Sequence, residues 1–353
     1  MLNPPLLSIP DSYGATSKRL DIIIPSYKRP HGAVEAARSV LSQVKQYNVA
    51  DLVNLVIWDD STPGLDVDHL AQELSDYDGL FRLGQNRFNK GMSGNILDLV
   101  SLSKSPFCTI LTDDDWLEEG ALPEILEEIS KILVFDNSKD SQIIGAFFVP
   151  RYSYLEDGTL HCVECRPFTC DSLISPSPCN VIKYSRNAFI LTGLFFRPAL
   201  VDFAFWEENK ANSFFPLLYY SSIAISSDVK FLNRKWLHHT CLNLCHWEAW
   251  GESELQQNAR LHSDYLQALV LIAQSYASRS MRDRLSCAKY LSQAFIEQLR
   301  AYGGPRLRQF MIVMSLTKHS PILFFAYLSI TLARLIMPLR AKFQFFKRFG
   351  SIN

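Results

Sequence analysis

Four short apolar runs, set apart by helix-length stretches, constrain the first third of this chain to a layered fold. Leu20-Asp21-Ile22-Ile23-Ile24, ended by Pro25, reads as a buried strand, and Leu52–Trp58, Leu80–Leu83 and Phe107–Leu111 read as three more. Between them, Gly32–Gln46 carries Val34, Ala37, Val40, Leu41 and Val44 on one helical face. A second helix spans Val67–Ser75 after the turn Asp59-Asp60-Ser61-Thr62-Pro63-Gly64, and a third leads from the loop Gln85–Gly94 through Ser103. Strands alternating with helices predict an α/β domain with a largely parallel sheet.

In such a sheet, ligands sit beyond the carboxyl ends of the strands. Tyr27, Asp59-Asp60 and Asp113-Asp114-Asp115 each follow the end of a different predicted strand, so three polar stations converge on one crevice. The last of them is the most telling, because three adjacent carboxylates repel one another and are held together where a cation or its bound phosphates neutralise them. The plainer reading makes Asp114 or Asp115 the N-cap of a helix running from Leu117 to Leu133.

The motifs around these stations resemble glycosyltransferase family 2, whose fold is GT-A. Ile22-Ile23-Ile24-Pro25-Ser26-Tyr27-Lys28-Arg29-Pro30 resembles the family's opening strand and turn, and Ser39-Val40-Leu41-Ser42-Gln43 its following helix. Val56-Ile57-Trp58-Asp59-Asp60-Ser61-Thr62 resembles the aspartate pair before a Ser/Thr turn, and Asn86 to Asn95 the Asn-x-Gly-x-x-x-Asn loop. Each motif is common alone, but four in this order over residues 20–125 are not a chance arrangement.

The resemblance implies a metal-dependent transferase that takes a UDP- or dTDP-sugar, with Mg2+ or Mn2+ as the ion. It implies nucleotide contacts from Pro25, Tyr27, Asp59, Asp60, Asn86, Asn95 and Asp113. Asp60 would accept from the pyrimidine ring, since an ionised carboxylate only accepts and uracil or thymine offers one ring N–H. Thr112 stands where the family's Asp-x-Asp motif begins. Asp114 therefore becomes the direct metal ligand with Asp115 beside it, and Asp113 a ribose or outer contact, with the choice among the three left open. Hard oxygen ligands suit such an ion, which stabilises a departing diphosphate as a Lewis acid.

The second half departs from the family. Thr192-Gly193-Leu194-Phe195-Phe196-Arg197-Pro198 resembles the turn before the usual catalytic acid, yet Phe214-Phe215-Pro216-Leu217 occupies the place of that acid. The pattern is similar to the abequosyltransferase-like branch, in which an aromatic-Pro stretch, an apolar helix and a later histidine strand replace it. Asp202, Glu207, Glu208, Asp228, His238 and His239 are then candidates for acid–base or metal roles. His239 joins Asp113 and Asp114 as a catalytic candidate, because it follows Lys235-Trp236-Leu237, where many GT-A enzymes bring a late histidine toward the metal.

Charge is unevenly spread. Residues 279–353 hold thirteen basic side chains against Asp283 and Glu297, a net of +11 in a chain whose total is −1, which leaves the remainder at −12. Such a basic end suits an anionic partner. Leu332, Leu335, Leu339, Phe343 and Phe346 recur at helical spacing beside Arg334, Arg340, Lys347 and Arg348, the make-up of an in-plane membrane helix rather than a nucleic-acid contact. Ile322–Ala333, the longest uncharged stretch there, makes about 18 Å of helix against roughly 30 Å of hydrocarbon and cannot span it.

The expected organisation is a flexible arm over 1–18 and a GT-A domain over 19–250, divided into a nucleotide-binding half (19–125) and an acceptor half (126–250). A helical appendage (251–304) and a membrane-associating tail (305–353) follow. The first residues lack the basic start and long apolar run of a signal peptide, and the eight cysteines are most simply free thiols. The expected location is therefore cytoplasmic, on the inner face of the cell membrane. Cys162-x2-Cys165-x4-Cys170-x8-Cys179 has only one pair at zinc-knuckle spacing, and no zinc site is expected.

The expected acceptor is a glycan, most simply one growing on a lipid carrier. A nucleotidyltransferase would need a Gly-rich phosphate loop near the first strand, and Ser26-Tyr27-Lys28-Arg29 is not one. A catalytically silent nucleotide-sugar-binding protein is the remaining alternative.

Overall fold

The apolar runs pair side by side. In the computed structural model, β1 (Leu20–Ser26) lies parallel between β2 (Val53–Asp59) and β4 (Phe107–Ile110), with β3 (Phe81–Gln85) outside β2. The structure describes residues 18–136, 143–155, 158–164, 170–184 and 191–240, and beyond them 264–265, 267–273, 280, 288–289, 291 and 328. The N-terminal arm, Cys165 of the cysteine cluster and all of the basic tail but residue 328 lie outside the described residues. The helices are α1 (Pro30–Gln46), α2 (Val67–Glu73), α3 (Gly91–Ser101) and α4 (Ala121–Asp136), then α5 (Pro178–Tyr184), α6 (Phe203–Glu208) and α7 (Phe215–Ala224).

Two segments differ from expectation for local reasons. Pro25 does not end β1. Leu111 N–H donates to the Ile23 carbonyl on the β4 side, whereas Ser26 accepts from Asp60 N–H on the β2 side. Alternation along the strand then turns Pro25 toward β4, whose pairing stops at Ile110 opposite Ile23, so no ladder bond is lost. The helix expected over Leu117–Leu133 begins four residues later, as α4, and before it come a short strand, β5 (Asp115–Leu117), and the turn at Gly120 (φ +77°). Asp115 and Leu117 are buried and Trp116 half-buried, a period of two that a strand satisfies. Asp115 is thus a strand residue and not a helix cap.

The remaining strands are β6 (Ile144–Phe148), β7 (Arg151–Tyr154), β8 (Leu160–Glu164), β9 (Ser172–Ile174), β10 (Leu194–Phe196), β11 (Asp228–Phe231) and β12 (Leu237–Thr240). An eight-stranded sheet runs β3-β2-β1-β4-β10-β6-β11-β9. β10 is antiparallel to both β4 and β6, and β9 is antiparallel to β11, so the other six strands point the same way. A second, four-stranded sheet runs β5-β12-β7-β8, and its β5, β7 and β12 follow β4, β6 and β11 within a few residues. Continuing those three strands, it stands at the carboxyl edge of the main sheet.

β2 is wholly buried and β1 nearly so, as expected for parallel strands covered on both faces. Leu20, Ile22 and Ile24 share a core with Val34, Val40, Leu41 and Val44 of α1 and Leu122, Ile125 and Ile129 of α4. Each such side chain contributes about 1.5–3 kcal/mol on burial. Asp21 is fully buried at the amino edge and accepts from Asn54, from Ser103 Oγ, and from Ser105 N–H and Oγ, which ties the segment before β4 to β1.

The chain divides into two compact units. The first comprises 1–176, 185–211 and 215–246 and holds both sheets; the second comprises 177–184, 212–214 and 247–353. Within the second, residues 267–273 are helical, Tyr265, Leu269 and Ile272 are buried, and Asp264 accepts from Ser213 N–H and Oγ. Among the described residues no helix is long and apolar enough to cross a membrane.

Candidate active site

The residues that follow β1, β2 and β3 form one hydrogen-bonded station. Asp59 accepts from Thr62 N–H (2.6 Å), Thr62 Oγ1 (2.6 Å) and Gln85 Nε2 (2.9 Å), so its carboxylate is taken up in shaping the turn. Thr62 Oγ1 in turn accepts from Lys28 N–H at 2.6 Å and steadies Lys28 in a left-handed conformation, φ +60°. Tyr27, half-buried beside it, has the Lys28 ammonium 5.0 Å from its ring centre, and Pro25 is partly exposed at the same edge.

Asp60 is buried, and its Oδ1 accepts from Asn86 Nδ2 (2.8 Å) and Lys90 N–H (2.9 Å). Burial pushes its carboxyl above the ordinary value, although the hydrogen bonds from Lys90 and Asn86 pull it back in part. Asn86 also donates to Asn95 Oδ1 (2.9 Å) and accepts from Trp58 Nε1 (3.0 Å), and Asn95 donates to the Trp58 carbonyl (3.4 Å). Asn86 and Asn95 therefore stand as a buried amide network behind Asp60, at the two ends of the loop that carries the Asn-x-Gly-x-x-x-Asn motif.

The acidic loop forms the second station. Asp113 lies 3.0 Å from the Arg29 guanidinium, and Asp114 lies 3.6 Å from it. Burial pushes the Asp113 carboxyl up to about 7, with Arg29 opposing the rise and the neighbouring Asp114 charge adding to it. Gly32 in the first turn of α1 is needed here, because a Cβ there would run into the Asp113 carbonyl oxygen.

Asp115 is fully enclosed. Its Oδ1 lies 2.7 Å from His239 Nδ1, its Oδ2 accepts from Thr112 Oγ1 at 2.5 Å, and Arg151 Nη1 is 3.4 Å from both oxygens. Burial alone would raise its carboxyl, yet the His239 hydrogen bond, the Arg151 and His239 charges and the Thr112 bond together hold it below the ordinary value. An ionised carboxylate only accepts, so Nδ1 of His239 carries the proton and Nε2 is left for a ligand. Ligand atoms of Asp114, Asp115 and His239 all fall within 4.8 Å of one another.

Both stations stand at the carboxyl edge of the main sheet. Of the second-half candidates, His239 is the one that reaches them. Asp202 caps α6 through Phe205 N–H, Glu207 pairs with Lys210 on the surface, and Glu208 is exposed. Asp228 opens β11 at the opposite edge. His238 stacks between Trp116 (4.2 Å) and Tyr154 (4.1 Å) on the other face of the small sheet. Phe215 to Leu217, where the usual acid would stand, are buried in α7.

Sequence reasoning missed Arg151 and Thr192, whose Oγ1 accepts from Thr112 N–H at 3.0 Å. Neither carries a local signal, because both are placed by pairing between strands distant in sequence. Arg29 lies within the opening motif, but nothing in that motif signals its pairing with Asp113.

Residues 21–150 match the family described as glycosyl transferase family 2. A search of curated protein sequences gives no match. Among solved structures, residues 1–349 of TarS from S. aureus in complex with UDP-GlcNAc align at TM-score 0.53 and 12% identity, covering 90% of this chain and 91% of that chain. The same segment in complex with UDP aligns at 0.49 and 11% identity with the same coverage. The likeness to the first is one of fold, and the chain has the GT-A architecture expected for that family.

Proposed function

We propose, for a chain that is a glycosyltransferase with a family 2 domain over residues 21–150, that the donor is a UDP- or dTDP-sugar, that transfer requires Mg2+ or Mn2+, and that the acceptor is a glycan on a lipid carrier. What carries the donor assignment is the meeting of Asp60 and the acidic loop at one sheet edge, with His239 brought in from 124 residues beyond Asp115. Asp60 accepts the ring N–H of the base while Tyr27 lines its pocket. TarS, whose structure contains UDP-GlcNAc, shares the fold and supports a uridine donor.

Two carboxylates and an imidazole whose ligand atoms cluster within 4.8 Å fit a hard divalent cation, which Asp114, Asp115 and His239 would hold. Such an ion supplies Lewis-acid stabilisation of the departing diphosphate, worth several kcal/mol. The abequosyltransferase-like pattern is supported by the apolar α7 and by the histidines of β12. The amphipathic, basic 305–353 segment supports peripheral attachment to the cytoplasmic face of the membrane, where lipid-linked glycans are built.

Thermal shift with UDP, dTDP, GDP and CDP, each with Mn2+ and again with EDTA, tests the donor assignment. UDP or dTDP with Mn2+ should give the largest rise in melting temperature, and donor hydrolysis should follow the same metal dependence. Equal shifts with EDTA would refute the metal role, and binding without hydrolysis or transfer would refute the enzyme.

A further inference from the structure

Arg29 joins the two stations of the site. Its backbone sits two residues past Tyr27, where Lys28, pinned to Thr62, sets the direction in which the chain leaves β1. Its carbonyl accepts from Ala33 N–H in the first turn of α1, and its guanidinium ends against Asp113 and Asp114. The Arg29 side chain is 30% exposed, open enough for a ligand to reach. Lys90 pairs with Asp98 at 2.5 Å, Arg151 pairs with the enclosed Asp115, and the Lys28 ammonium lies over the Tyr27 ring.

A nucleoside diphosphate whose base meets Asp60 and whose phosphates meet Asp114 must run past this guanidinium. We propose that Arg29 binds the diphosphate of the donor, and that before donor and cation arrive it is the counter-ion holding Asp113 and Asp114 together. This rests on the nucleotide-sugar reading above. Arg29 then exchanges partners: a cation on Asp114 replaces its charge there, and the planar guanidinium turns to the phosphate oxygens, which it matches in a bidentate fork. The exchange predicts effects of opposite sign. Loss of Arg29 weakens binding of the diphosphate but frees the acidic pair for a cation.

Calorimetry on full-length protein, Arg29→Gln and Arg29→Lys, with Mn2+ alone, UDP plus Mn2+, and uridine as titrants, tests this. Arg29→Gln should lose about ten- to hundredfold in UDP affinity, as for a hydrogen bond to a charged group. It should keep uridine affinity and bind Mn2+ alone more tightly, with Arg29→Lys intermediate for UDP. Unchanged UDP affinity in Arg29→Gln, or a parallel loss for UDP, uridine and Mn2+, overturns the assignment, the second because it reports damage to the whole loop. Unchanged or weaker Mn2+ binding with intact uridine binding overturns the counter-ion half. If the parent protein itself does not bind UDP, the nucleotide-sugar reading fails and this inference with it; a parent that binds beside an unaffected variant sinks the inference alone.

Discussion

Neutralising Asp113 should stabilise the metal-free protein at neutral pH and leave it little changed in acid. The Asp113 carboxyl is buried against the first turn of α1 and pushed from an ordinary 3.8 up to about 7, with burial the leading cause and Arg29 opposing it. The native state therefore holds a proton that the unfolded chain has released, and stability falls as pH rises. The contribution is present in full below about pH 4 and lost as pH passes about 7. A tenfold difference in proton affinity between the two states is worth about 1.36 kcal/mol, so integration from pH 5 to pH 8 gives a loss of about 2–3 kcal/mol. Asp113→Asn lacks this step, and urea unfolding of both proteins in EDTA at the two pH values isolates it. Asp60 and Asp228, whose carboxyls burial also raises, are common to both and cancel. The variant should gain on the parent by about 2–3 kcal/mol over the interval, and Mn2+ should narrow the gap by stabilising the ionised loop. Parallel pH dependence in EDTA, or a parent that gains on the variant as pH rises, would refute the reasoning.

Asp114→Ala should lower transfer by about a thousandfold or more, the equivalent of several kcal/mol of lost charge stabilisation, with the circular dichroism spectrum unchanged; near-normal, metal-dependent turnover would remove Asp114 from the metal site. Asp60→Ala should weaken UDP binding by about 1.5–3 kcal/mol and relax discrimination against CDP, read by calorimetry. Because Asp60 also anchors Asn86 and Lys90 N–H, Asp60→Ala should lower the melting temperature as well, whereas Asp60→Asn keeps an acceptor for both and separates the two effects. Truncation after Gly304, which removes eight basic residues, should abolish sedimentation with anionic vesicles and preserve donor hydrolysis; insoluble truncated protein, with full-length protein ignoring vesicles, would refute the membrane role.

Residues 19–110 were legible because their signals are local. Parallel strands covered on both faces read as continuous apolar runs, and each polar station follows directly on one of them. Asp59 shows the limit of such reading. Its place in the motif is plain, yet only the folded chain reveals that Thr62 and Gln85 occupy its carboxylate. The small sheet and the segments after it were less legible because non-local pairing arranges them. Asp115-Trp116-Leu117 is too short to declare itself a strand, so a helix cap looked reasonable until β12 supplied its partner. Asp202 and Asp228 carry the right chemistry at the wrong places, one as a cap and one at the far edge of the sheet.

His238 and His239 are adjacent, and strand register decides which of them serves the acidic loop. β12 pairs Leu237 with Leu117, His238 with Trp116 and His239 with Asp115. A slip of one residue would turn His239 outward and send His238 to Asp115, since neighbouring side chains on a strand face opposite sides. Several contacts oppose that slip. Leu237 and Trp236 are buried, with the Trp236 indole N–H donating to Glu124 at 2.7 Å. On the outer face, His238 is sandwiched between Trp116 and Tyr154, and offset-stacked rings contribute about 0.5–1.5 kcal/mol beyond their burial. On the inner face, Arg151 and His239 converge on Asp115. The aromatic stack is thus one of the devices that point His239 at Asp115.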